Sequence, residues 1–141
     1  MLTGTPGIWM QKTNHGGGSP FIRGLTGNQV LTLVDGIRLN NATYRYGPNQ
    51  YLSTIDPWSL FSAETLRSTG SVLYGSDAMG GVVSLQTEKP RYADNKRSFH
   101  GTVFTRAMSR NMEKTIGTKL IFSERNWAGM INGNISEFGH I

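Results

Sequence analysis

Cysteine is missing from all 141 residues, which excludes disulfides and thiolate metal sites while leaving the compartment open. No apolar run approaches the roughly 18 residues of a membrane-spanning helix. The start, MLTGTPGIWMQK, has neither the basic head nor the apolar core of a secretory signal. Basic residues outnumber acidic ones, for a net charge of +5, but they are scattered rather than clustered on one segment. A nucleic-acid surface ordinarily concentrates its cations, so no nucleic-acid partner is expected. The glycines near residues 70–81 are followed by no GK[ST], and there is no G-x-S-x-G elbow. Asp35, Asp56 and Asp77 are the tempting carboxylates, yet each sits in a turn or cap where aspartate has a structural reason to be. No catalytic residue, metal site or resident cofactor is assigned, and an enzyme is not expected.

Glycine, by contrast, is abundant at 18 residues, nearly double the average share, which suits a turn-rich fold with close backbone contacts. The chain organises into three parts. Residues 1–89 alternate short apolar runs with Gly, Asn and Asp turns. Residues 90–97, PRYADNKR, form a polar linker opened by proline. Residues 98–141 show alternation with period two.

In the first part, residues 30–34 and 37–39 flank Asp35-Gly36, a strong hairpin signal because both residues tolerate the positive φ of a type I′ turn. A first strand is expected over residues 7–10. Asp56-Pro57 reads as the cap and first residue of a short helix ending near Phe61. A strand over residues 64–67, a turn or short helix around 72–74, and a strand over 82–87 led by Gly80 and Gly81 follow. In the last part, Ile116, Thr118, Leu120 and Phe122 share one face of a strand, with Gly117, Lys119 and Ser123 opposite and Ile121 as the exception. Trp127, Gly129, Ile131, Gly133 and Ile135 share a face of the next strand, and Phe99, Val103 and Ala107 make a weaker version over residues 98–108. Alternation with an aromatic at the strand end suits a membrane barrel strand, and equally a soluble hairpin. Arg125-Asn126 marks a short turn, and residues 109–114 a loop at the opposite end.

Read in order, FIRGLTGNQ, LTLVDGIRLNN, TIDPWSL, ETLRSTG and SVLYGSDAMGGVV resemble the plug domain of TonB-dependent outer-membrane receptors. Such plugs typically carry an IRG, a DG turn, an IDP helix start, an LRG-type strand end and LYG…GG. The motif positions are Arg23, Gly24, Asp35, Gly36, Asp56, Pro57, Arg67, Tyr74, Gly75, Gly80 and Gly81. The fold implied is α+β: a small mixed plug with short strands and one or two short helices, then antiparallel transmembrane-type strands of an incomplete barrel. Residues after Arg97 suffice for about three strands at roughly ten residues each. An open sheet of three cannot sit in lipid with its edge groups unpaired, so the chain reads as a fragment.

The resemblance implies a location in the Gram-negative outer membrane, with the plug inside the barrel lumen. It implies as partners the rest of the barrel, a small-molecule or metal-chelate ligand, and TonB of the inner-membrane energising complex. TonB would act through an N-terminal segment that this sequence lacks, which points to a piece cut from a longer chain or a processed form. Arg23 and Arg67 occupy the positions of two arginines that latch plug to barrel glutamates. Loops over residues 13–19, 25–29 and 41–51 would face the ligand, placing His15, Asn28, Gln29, Tyr44, Arg45, Tyr46, Asn49 and Gln50 toward it. His15 could ligate haem iron as a plug histidine does in some haem receptors, though a histidine beside three glycines is more often a loop residue. Ser68 stands where the family usually has glycine after the latch arginine. The implied function is uptake of a scarce nutrient, whether ferric siderophore, haem, cobalamin or glycan. The alternative is a soluble plug-like binding or regulatory module without transport.

Overall fold

A computed structural model describes residues 6–11, 18–40, 51–94, 96–109 and 113–138, excepting the side chains of Tyr51 and Ser53. The chain divides into two compact units, Met1–Glu88 and Lys89–Ile141. Among the described residues no helix is long and apolar enough to cross a membrane, which says nothing of a β-barrel.

In the first unit, β1 (Ile8–Gln11) and β2 (Ser19–Ile22) pair antiparallel. A four-stranded mixed sheet is built from β3 (Val30–Val34), β4 (Ile37–Arg38), β5 (Leu60–Leu66) and β6 (Gly81–Thr87) in the order β4-β3-β6-β5. The central strands β3 and β6 run parallel, with Val30 opposite Gly81 and Val34 opposite Leu85. Their sequences, VLTLV and GVVSLQT, are nearly continuous in apolar or small residues because both faces are covered. One face buries Val30, Val83 and Leu85 with Ile22, against which Ile8 and Met10 of β1 pack. The other buries Leu31, Leu33 and Val82 with Ala78. Each such side chain contributes roughly 1.5–3 kcal/mol by leaving water.

The hairpin at Asp35-Gly36 forms as expected, with φ of 50° and 83°. Asp35 does more than turn the chain. Its carboxylate accepts the Thr87 N–H at 2.9 Å and the Thr87 hydroxyl at 2.6 Å, closing the end of β6. Where β4 stops, the buried side chain of Asn40 continues the ladder, accepting from Thr32 N–H at 2.9 Å and donating to Val30 O at 3.1 Å.

Two expectations are corrected. The helix expected from Asp56-Pro57 to Phe61 is a single 3-10 turn, Pro57–Ser59; the Asp56 carboxylate does cap it, accepting from Trp58 N–H at 3.0 Å. The chain is then taken into β5 at Leu60, because residues 60–66 find ladder partners in β6 from Thr87 to Val82, with a bulge at Phe61. The strand expected over 64–67 thus begins four residues earlier and stops before Arg67. Ser68 raises no backbone difficulty: the only non-glycine residues with positive φ among those described are Arg23 and Asp35. Helix α1 (Ser71–Tyr74) and a 3-10 turn at Ser76–Ala78 then lead to β6.

The second unit is one antiparallel sheet of β7 (Ser98–Met108), β8 (Glu113–Ser123) and β9 (Ala128–Phe138), each 11 residues long. That length suits a tilted membrane strand. Phe99 lies opposite Phe122, Val103 opposite Thr118, Ile116 opposite Ile135 and Leu120 opposite Ile131, so all share one face. This apolar face is the open one: Val103 is 69% and Ile135 77% exposed. On the other face Thr115 is 4% exposed and bonded to Ser136, while Arg106 and Glu113 pair at 3.4 Å. An apolar face left this open is unusual for a sheet in water and common for strands facing lipid, while the opposite face mixes Thr102, Arg106 and Thr115 with Phe104 and Ile121.

Candidate functional site

The double glycine organises the site. A Cβ on Gly81 would stand 2.5 Å from the Leu66 carbonyl and 3.1 Å from Ile22, and one on Gly80 would stand 2.7 Å from the Leu25 Cβ. Only glycine lets these backbones come so close. The consequence is that the residues flanking both candidate latch arginines meet at one point: Ile22 and Leu25 bracket Arg23-Gly24, and Leu66 precedes Arg67.

Arg23 and Gly24 form a two-residue turn closed by reciprocal bonds, Ile22 N–H to Leu25 O at 2.9 Å and Leu25 N–H to Ile22 O at 3.0 Å. Arg23 has φ of 56°, a left-handed conformation that costs a long side chain on the order of 1 kcal/mol. The turn leaves Arg23 exposed at its tip. Arg67 is also exposed, and its Nη1 donates to the Pro6 carbonyl at 2.5 Å. The other guanidinium donors of such a planar fork remain suited to a carboxylate.

Of the ligand-facing candidates, Asn28 and Gln29 lie in a 3-10 turn at Gly27–Gln29. The Gln29 carbonyl accepts from Gly80 N–H at 2.8 Å, so this loop is stitched to the double glycine. The side-chain oxygen of Asn28 is buried and has no partner among the described residues. His15, Tyr44, Arg45, Tyr46, Asn49 and Gln50 lie outside the described residues.

Sequence reasoning missed Arg38. Its Nη1 pairs with Asp77 at 2.9 Å and its Nη2 donates to the Tyr74 carbonyl at 2.7 Å. It thereby clasps the LYGSDA segment, including Gly75, to β4. Asp77, read as a turn residue, is the acceptor of that clasp. No local signal links residues 39 positions apart.

In the second unit, Glu124 holds both Arg97, at 2.8 Å, and the Trp127 indole N–H. The bond from the Arg97 guanidinium, and then that from Trp127, keep the Glu124 carboxyl below the usual glutamate range.

Residues 1–82 match the family described as TonB-dependent Receptor Plug Domain. The chain is 38% identical over 89 residues to the vitamin B12 transporter BtuB of Vibrio vulnificus strain CMCP6, and 34% identical over 92 residues to that of strain YJ016. Each match takes in 62% of this chain and 14% of the relative, so the chain spans a small part of the length of the curated relatives it matches. These relatives are named as transporters rather than enzymes. The solved structure of the siderophore receptor PirA from Acinetobacter baumannii superposes with a TM-score of 0.66 at 22% identity, over 94% of this chain and 21% of that one. That likeness covers the three-stranded sheet as well as the plug. The chain belongs to the TonB-dependent receptor plug-domain family.

Proposed function

We propose that this chain is the plug and first barrel strands of an outer-membrane receptor that imports a scarce nutrient with energy delivered by TonB. Residues 1–89 gate the lumen, 90–97 link, and 98–141 belong to the barrel wall. The observation that carries the reading is the apolar face of β7–β9, open at Phe99, Val103, Ile116, Ile131 and Ile135, a contiguous patch of the kind that marks a membrane or protein contact. A soluble plug-like module has no use for it.

Within this reading Arg23 and Arg67 are the latch, seated against barrel carboxylates. The support is their exposure, their convergence on Gly80-Gly81, and the left-handed strain accepted to display Arg23. Asn28 and Gln29 face the ligand together with the loops over residues 13–19 and 41–51. The substrate class is a bulky chelate or corrinoid of the kind named for the relatives, with haem and glycan as the other candidates.

The test is made in the receptor containing this chain. Exchange of Arg23 and Arg67 for Gln should loosen plug seating, lowering uptake and admitting large antibiotics. Unchanged uptake with unchanged antibiotic exclusion would remove the latch.

A further inference from the structure

The first unit is tied down to its last residue. Asp35 holds the Thr87 amide and hydroxyl, and Glu88 N–H donates to the Ser59 carbonyl at 2.9 Å. The second unit takes hold of the chain almost at once. Ala93 N–H donates to the Glu124 carbonyl at 3.1 Å, and the Arg97 guanidinium donates to the Glu124 carboxylate at 2.8 Å. The polar connector read from the sequence over residues 90–97 is therefore not free along its length. Between the tie at Glu88 and the tie at Ala93 lie four residues, 89–92. Pro90 stiffens even these, since its own φ is fixed and the residue before it is confined to extended backbone.

Glu124 is the point where turn and connector are joined. Its N–H donates to the Trp127 carbonyl at 2.8 Å and closes the turn between β8 and β9. Its carbonyl takes Ala93, one carboxylate oxygen takes Arg97, and the other takes the Trp127 indole N–H. A residue whose task ended with the turn would need neither Ala93 nor Arg97. The Arg97 side chain is largely exposed, so the ion pair adds little to the stability of the sheet. Its consequence is geometric: it fixes where the connector begins to move.

We infer that Glu124 moors the connector to the barrel wall and so keeps the joint between plug and barrel short. The inference rests on the reading of the two units as plug and barrel wall. Tether length sets the effective concentration of a displaced plug at its seat, which falls roughly as the −3/2 power of length. Without the mooring the joint runs over residues 89–97, nine residues in place of four, and return of the plug is disfavoured roughly threefold. Glu124 thus favours reseating after each opening while adding no contact to the plug itself.

The test is the entry of a large antibiotic into cells carrying the receptor that contains this chain. Ala93→Pro with Glu124→Ala removes the amide donor and the carboxylate, and should raise entry roughly threefold. A flexible insert of five residues after Arg91, with Glu124 intact, should do the same. The insert leaves the turn untouched, so a role confined to the turn does not predict its effect. Exclusion that is unchanged in the Ala93 and Glu124 variant, while Arg23→Gln with Arg67→Gln admits the antibiotic, would overturn the mooring and leave the plug reading standing. Entry raised in the Ala93 and Glu124 variant but not by the insert would overturn it too, assigning Glu124 to the turn alone. Exclusion unchanged in all three would overturn both the mooring and the plug reading.

Discussion

The sheet around β3 and β6 and the sheet of β7–β9 are made from similar residues and obey opposite rules. In the first, Leu31, Val82 and Val83 are sealed on both faces. In the second, Val103, Ile131 and Ile135 face outward while Thr115 and Gly117 are buried. Register decides which outcome occurs, since a strand shifted by one residue would exchange its faces. The lesson is that β-branched content identifies a strand, but only the pairing shows which side its environment lies on.

The sharpest way to probe this contrast is to add the same side chain to a glycine in each sheet. Gly81→Val meets the Leu66 carbonyl and Ile22 and should cost about 4 kcal/mol or more, read by urea denaturation. Gly133→Val, on the outward face with nothing within 4 Å, should be neutral or slightly stabilising. Equal penalties would break the comparison. Truncation gives the next effect: Leu31→Ala should cost roughly 2–5 kcal/mol, whereas Ile135→Ala should leave the urea midpoint unmoved and weaken binding to micelles. Smaller again is Arg38→Ala. The pair with Asp77 is partly exposed, so the loss should be about 1 kcal/mol or less, while proteolysis between residues 70 and 79 should speed up.

The smallest effect is in pH. Glu124 has its pKa depressed in the folded chain. Its contribution is therefore complete above the unfolded carboxylate value and is lost as pH falls through the lowered folded one. Trp127 emission, followed in a chain lacking the other two tryptophans, should change with a midpoint below that of an ordinary glutamate. Glu124→Gln should abolish the transition.

Much of this was legible beforehand where the cause is local. Asp35-Gly36 announced its hairpin because positive φ is a property of those two residues. The alternation in residues 98–136 announced both the strands and their faces. What escaped was set at long range. Phe61 was assigned to a helix because Asp56-Pro57 is a valid cap, yet the ladder offered by β6 won after one turn. The role of Arg38 depends on Asp77, that of Asn40 on the exposed edge of β3, and the strained turn at Arg23 on packing against Gly80-Gly81. None of these contacts leaves a mark on neighbouring sequence. The ligand-facing residues were placed by family resemblance, and of them only Asn28 and Gln29 lie among the described residues.

The central claim is that β7–β9 turn their apolar face to lipid. Because this stretch has no cysteine, single cysteines carrying a nitroxide can be placed along β7–β9 of the receptor containing this chain, in detergent micelles. Collision with oxygen and with a polar nickel chelate is then measured at each position. The account predicts a period of two, with oxygen favoured at positions 103, 116, 131 and 135 and suppressed at 115, 117 and 132. Alternation of the opposite phase, or nickel reaching the apolar positions as freely as oxygen, would contradict it.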